Sequence, residues 1–393
     1  MFSDRTNVDL TPNALSRLLA RKKAQGRRVL DLTQSNPTRI GLIYPAQEIL
    51  AALARPQSLV YEPDPRGLPA ARAHVGDYYG SLGQRIDLEA IFLTASTSEA
   101  YGSLFKLLGN PGDEILIPSP GYPLLGYLAA FEGLRTVSYP LRYDAGSGWY
   151  FDLDVLEALI TPQTRAVVVV NPNNPTGSYI KHKELEILDG ICCKHGLGLL
   201  VDEVFSDYAV HPPADYVHTA VKGTRALTFV LNGLSKMVGL PQVKLGWIVA
   251  GGQAGQLREA AARLEMLLDC SLSVATPVQH ALGGLLDLRT EIQGQLMARM
   301  ATNSKVLKKL LAGTENCRAL LREGGWYAVL EISDRIGDDA RVLTLLARDD
   351  TLVHPGAFYQ FHREGFVMVS LLPPTDVFRA GIEGLVRRFG QRR

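Results

Sequence analysis

A lysine, an asparagine and an aspartate, each just past a short apolar run, are the residues of this sequence whose types and spacing could do chemistry together. Lys236 ends Asn232-Gly-Leu-Ser-Lys236, directly after the apolar residues 227–231. Asp202 opens Asp202-Glu-Val-Phe205 after the run 197–201, and Asn174 lies in Asn171-Pro-Asn-Asn-Pro-Thr-Gly177 after 166–170. A lysine amine can add to an aldehyde and move protons. A buried aspartate can keep a ring nitrogen protonated, and an amide can donate to a phenolic oxygen. Taken singly, each has an ordinary reading. Most lysines are solvated, Asp-Glu after a strand is a polar cap, and the asparagine segment is a run of turn formers. Three such junctions in this order make coincidence a poor explanation.

The elements that must position these residues are legible. The runs 115–117, 166–170, 197–201 and 227–231 are short, apolar and often β-branched. Such runs suit strands buried on both faces. Helical spacing over 153–160 and 183–195 separates them, which predicts an α/β fold with a doubly wound, mostly parallel sheet. In open sheets of this kind ligands sit beyond the carboxyl ends of the strands. Asn174, Asp202 and Lys236 are therefore expected in one crevice, where their types match what pyridoxal 5'-phosphate (PLP) needs. The segment 94–100 precedes a helix expected to reach residue 108. Ser96, Thr97 and Ser98 at its start offer hydroxyls and free N–H groups, a natural phosphate seat; a plain N-cap needs one of them. Tyr122, in Pro118-Ser-Pro-Gly-Tyr-Pro123, can lie flat on a cofactor ring, although tyrosine is also common in such turns.

After residue 287 the texture changes. A long helix over 290–312 leads to strand-like runs at 326–331, 351–353 and 366–372, then to a last helix over 376–389. These predict a smaller α+β domain, completed by an N-terminal segment with a helix over 13–25 and a short strand from Asp31. The expected division is a large PLP-binding domain over 46–285 and a small domain from 1–45 plus 286–393. The length of 393 residues fits two domains. A net charge of +1 makes no bulk case for nucleic acid or an anionic membrane. The N-terminus lacks the apolar core of a signal peptide, and no apolar run approaches spanning length. The four cysteines form no CxxC pair or disulfide pattern. No metal-ligand spacing surrounds His354 or His362. A reduced, cytoplasmic protein is the expectation.

The chain resembles the fold-type I PLP-dependent aminotransferases of class I/II, the aspartate/alanine aminotransferase-like group. The resemblance spans nearly the whole length. It rests on residues 61–72, 94–100, Asn110-Pro-Gly-Asp113, 118–123, 171–177, 202–205 and 232–247, in the family's order and approximate spacing. It implies that Lys236 is the Schiff-base lysine and moves the substrate's proton. It further implies that Asp202 pairs with the pyridine nitrogen, Asn174 bonds the phenolic oxygen and Tyr122 stacks on the ring. Thr97, Ser98, Ser235 and the cation at Lys244 would hold the phosphate. Tyr61 would reach the phosphate of a partner subunit, which implies a homodimer with shared sites. Small-molecule partners would be an amino donor and a keto acid acceptor.

Three positions depart from the family's pattern. Phe205 stands where a tyrosine usually bonds the phenolic oxygen. Lys244 replaces an arginine and loses its bidentate fork. Met368 stands where an arginine usually pairs with the substrate's α-carboxylate, and a thioether cannot do so. Arg39, after Ser35-Asn-Pro-Thr38, is the nearby substitute, with Asn36 in the same loop; Arg363 is a weaker one. An aminotransferase is the leading expectation. A lyase, decarboxylase or biosynthetic cyclase on the same scaffold is the alternative that Met368 strengthens.

Overall fold

The computed structural model describes residues 1–334 and 336–390. Its centre is an eight-stranded sheet. In spatial order the strands are Ile91–Thr94, Gly246–Gly251, Thr228–Gly233, Gly198–Asp202, Thr164–Val170, Glu114–Ser119, Arg135–Asp144 and Gly148–Phe151. The five strands from Thr228–Gly233 to Arg135–Asp144 run parallel. Gly246–Gly251 is antiparallel to both neighbours, and Gly148–Phe151 returns as a hairpin. The sheet is mostly parallel, as its apolar runs imply. Alternate residues feed two cores: Val167, Val169, Leu199 and Val201 join one cluster, and Val168, Val170 and Leu200 the other. Two-sided burial explains why these strands read as unbroken apolar runs. Each fully buried Val or Leu contributes about 1.5–3 kcal/mol, so a polar residue at these positions would be excluded.

The chain's direction of travel through the sheet reverses between Glu114–Ser119 and Thr164–Val170. The next strand after Glu114–Ser119 goes to one side, and those after Thr164–Val170 go to the other. Such a switch opens a crevice at the carboxyl ends of the strands.

Residues from the C-terminal part build a second sheet, four-stranded and antiparallel, in the order Cys317–Ala319, Tyr327–Ile332, Phe366–Ser370, His354–Pro355. The N-terminal segment joins this part: Leu30–Asp31 pairs in parallel with Thr351–Leu352. The final helix, Thr375–Phe389, buries Phe378, Ile382, Leu385 and Phe389, a one-sided helical stripe, and ends on Arg387 and Arg388. The division expected at 285/286 falls within the helix Thr276–Asp287, which passes through Leu288 into Arg289–Leu311. Among the described residues no helix is long and apolar enough to cross a membrane.

Candidate active site

Lys236 lies in the one-turn helix Leu234–Met237, entered directly from the strand Thr228–Gly233. Lys236 is half-buried, and its amine lies over two aromatic faces, 5.3 Å from the Trp326 ring centroid and 5.9 Å from that of Phe205. Burial holds its pKa below the ordinary lysine value, and the nearby Asp202 charge opposes that shift. A depressed pKa leaves more of the amine neutral, the form that attacks carbonyls and accepts protons. The peptide on which it hangs is pinned by Tyr208, whose hydroxyl donates to the Lys236 carbonyl at 2.6 Å.

Asp202 ends the neighbouring strand, in register with Leu231. Its carboxylate is buried and accepts two hydrogen bonds, from the Val204 N–H at 3.1 Å and the Tyr101 hydroxyl at 3.0 Å. Burial pushes its pKa up to about 6, while these bonds and the Lys236 charge pull it down. A buried anion in this state gains from a cation or N–H donor brought against it.

Asn174 follows the next strand, Thr164–Val170. Its Oδ1 is buried with no protein partner among the described residues. The loop around it is stiffly built. Asn173 Nδ2 donates to the Pro120 carbonyl at 3.1 Å and to Thr176 Oγ1 at 2.9 Å. Gly177 has a φ of +72°, and a Cβ there would lie 2.3 Å from the Gly324 carbonyl oxygen, so only glycine fits. The Pro120 contact ties this loop to Tyr122, whose hydroxyl is pushed up to about 12, first by burial, then by Asp202 and Tyr327. Tyr122 and Asp202 therefore face the same space.

The helix Thr97–Leu108 starts against Gly246, which pairs with Gly233, three residues before Lys236. A Cβ on Gly246 would come within 3.1 Å of the Thr97 nitrogen and the Asn232 carbonyl oxygen. Ser96 is the N-cap; its Oγ accepts from the Glu99 N–H at 3.2 Å. Its oxygen is thus spent on the helix itself, and the first-turn N–H groups and hydroxyls of Thr97 and Ser98 remain to meet an anion. Ser235 sits next to Lys236. Lys244, two residues before Gly246, is exposed in a left-handed conformation with φ 61°.

The remaining expected residues lie further out. Asn36 caps the short turn Pro37–Arg39, its Oδ1 accepting from the Thr38 N–H and hydroxyl at 3.0 and 2.7 Å. Pro37 packs near Gly239, three residues past Lys236: a Cβ on Gly239 would lie 3.6 Å from Pro37 Cβ. Arg39 itself is exposed. Tyr61 is 75% exposed, next to exposed Leu59 and Val60. Met368 is buried in the small-domain sheet, paired with Val329. Arg363 is held elsewhere, against Glu331.

Sequence reasoning missed Tyr101, Tyr208, Trp326 and Tyr327. Tyr101 lies in a helix, Tyr327 in a strand, and Tyr208 and Trp326 in loops, and an isolated aromatic carries no local mark of such a role. PLP fits what is present: a half-buried amine, a buried carboxylate near it, the Asn174 amide with Nδ2 available to donate, and a helix whose Tyr101 reaches that carboxylate. Phe205 contributes an apolar wall to the space around the Lys236 amine rather than a hydrogen bond.

The model of the family "Aminotransferase class I and II" matches residues 27–376. The glutamate-pyruvate aminotransferase AlaA of Escherichia coli K12 is 35% identical over 379 residues, covering 93% of this chain and 92% of the relative. The alanine aminotransferase of Mycobacterium tuberculosis is 29% identical over 376 residues, covering 93% and 86%. Among solved structures, an aminotransferase from Escherichia coli superposes with a TM-score of 0.87 at 27% identity, covering 100% of this chain and 99% of the other. With the family's model spanning most of its length and a relative of this closeness, the chain belongs to the class I and II aminotransferases and is an enzyme that transfers amino groups.

Proposed function

We propose that this aminotransferase works with PLP held by Lys236, and that it moves an amino group from an amino acid to a keto acid. The observation that carries this reading is the half-buried Lys236 amine, set over the Trp326 and Phe205 rings, near the buried Asp202 carboxylate on the adjacent strand. Bound there, PLP supplies an aldehyde for amines and a ring able to take up an electron pair from the substrate's Cα. Asp202 keeps the ring nitrogen protonated. Asn174 bonds the phenolic oxygen and Tyr122 covers the ring face. Thr97 and Ser98, on the helix start that Ser96 caps, would seat the phosphate, with Ser235 and Lys244 beside it. Lys236 Nζ would take the substrate's Cα proton and return it; its lowered pKa favours both. Phe205 and Trp326 exclude water from that amine.

Glutamate and pyruvate are the proposed substrate pair, in line with the names of the relatives. Asn36 and Arg39 stand at the rim where a substrate enters. The active unit is a homodimer, with Tyr61 completing the partner's phosphate site, and its compartment is the cytoplasm. A half-reaction tests the reading. Adding glutamate to the PLP-loaded enzyme without acceptor should convert the absorption of the lysine-bound cofactor to that of pyridoxamine phosphate. Release of a decarboxylated or eliminated product with no such conversion would overturn it in favour of a lyase.

A further inference from the structure

We propose that His354, seated by Tyr359, is the group that takes the substrate's carboxylate. The inference rests on the aminotransferase site described above and adds to it a specificity-determining residue from the small-domain sheet.

The register fixes which side chains share a face. Directly paired residues of antiparallel strands point the same way. Tyr327 pairs with Ser370, Val329 with Met368, and Met368 with His354. His354, Met368, Val329, Tyr327 and Ser370 thus share one face. Tyr327 opens its strand directly after Trp326, whose ring centroid is 5.3 Å from the Lys236 amine, so this face borders the cofactor crevice. The segment bearing Tyr359 is tied to the same place, because the Gly121 N–H donates to the Tyr359 carbonyl at 3.0 Å. Amino and keto acids bring a carboxylate into this aromatic and apolar lining. A buried carboxylate needs a cation or strong donors. Glu331 and Phe366 complete the face toward its far end, where Arg318, paired with Glu331, is held by that carboxylate at 2.6 Å; His354 is the residue on this face that can carry positive charge without such an ion pair.

The histidine is arranged for that task. Its Nδ1 and the Tyr359 hydroxyl are 3.0 Å apart and share a hydrogen bond. Its Nε2 has no protein partner among the described residues. The ring also lines a cavity of about 410 Å³ between the helices Ala14–Ala24 and Asp338–Asp349, walled by Leu15, Leu19, Leu343 and Phe358. The ring is therefore half-buried, with solvent reaching it through this cavity. With Nδ1–H donated to the tyrosine oxygen, a protonated imidazole offers Nε2–H to a carboxylate oxygen. The titratable groups facing it are Asp31 on the adjoining strand, Asp339 across the cavity and Tyr359. Burial lowers the His354 pKa and Asp31 raises it. In the ligand-free enzyme the ring is therefore largely neutral near pH 7, and an entering carboxylate draws a proton from solvent onto it.

Two measurements on the PLP-loaded enzyme test this. In steady-state kinetics, His354→Gln should lower kcat/KM for an amino acid donor tenfold or more, mostly through KM. The same substitution should leave kcat/KM for the matching amine without a carboxylate within about twofold. Tyr359→Phe should move the ratio in the same direction by less. The wild-type advantage should shrink as pH rises from 6 to 9. In calorimetry, lactate, which has a carboxylate but no amine, should bind with proton uptake near pH 7, and His354→Gln should abolish the uptake and weaken binding. Equal losses for amino acid and amine, or lactate binding without proton uptake, would overturn the proposal. So would a loss produced by Arg39→Ala and not by His354→Gln. Lactate binding with proton uptake in an enzyme that transaminates no donor would sustain the His354 role while sinking the amino-transfer reading.

Discussion

Asp202 and Glu203 are adjacent buried carboxyls with different tasks. Asp202 faces Tyr101 and the Lys236 amine. Glu203 accepts from the Ala220 N–H at 2.7 Å, and its Oε2 has no partner among the described residues. Asp202→Asn is expected to retain PLP and lose most of its turnover, because a neutral ring nitrogen stabilises charge at Cα poorly. Near-normal kcat in that variant would remove Asp202 from the role. Glu203 gives a stability prediction. Burial raises its pKa from 4.5 to about 8. A raised folded-state pKa contributes stability that is fully present below about pH 4.5 and is lost as pH rises toward 8, at up to ~1.4 kcal/mol per pH unit. Denaturant titrations of the apo protein should therefore show falling stability across that window, and Glu203→Gln should flatten the slope. An unchanged slope would show that Glu203 ionises freely. At this scale the junction residues Lys236, Asp202 and Asn174 were legible in the sequence, because strand ends mark them. Tyr101 was not: it meets Asp202 from 101 positions away, through tertiary packing alone.

The element that matters most for the proposed phosphate site is the helix Thr97–Leu108. Its cap and its anion seat are separate: Ser96 Oγ serves the Glu99 N–H, while Thr97 and Ser98 stand in the open first turn. Ser96→Ala is therefore expected to cost about 0.5–2 kcal/mol of stability with a modest change in PLP affinity. Thr97→Ala with Ser98→Ala should do the reverse, weakening PLP binding at least tenfold with little change in Tm. The reverse pattern would place the phosphate on Ser96. The helix, the buried parallel strands and the N-terminal contribution to the small domain could all be anticipated from periodicity. Two features could not. The antiparallel run of Gly246–Gly251 is invisible because strand direction leaves no trace in a two-sided apolar run. The domain division near 285 is blurred because two helices follow one another with Leu288 alone between them.

At the scale of the whole molecule, one exposed stretch fits the proposed subunit contact. Leu59, Val60 and Tyr61 are 90%, 54% and 75% exposed, an apolar patch that a soluble monomer has little reason to carry. Mixing an inactive Lys236→Ala enzyme with an inactive Tyr61→Ala enzyme should restore partial activity through hybrid dimers, each with one intact site. A fully active monomer on size-exclusion chromatography would rule out sharing. The account as a whole stands on Lys236 as the residue that holds the cofactor, and that is directly measurable over the full chain. Borohydride reduction of the PLP-loaded enzyme, followed by peptide mapping of every lysine, should place the phosphopyridoxyl label on the peptide containing Lys236. A label on Lys244 or on any other lysine would contradict the account.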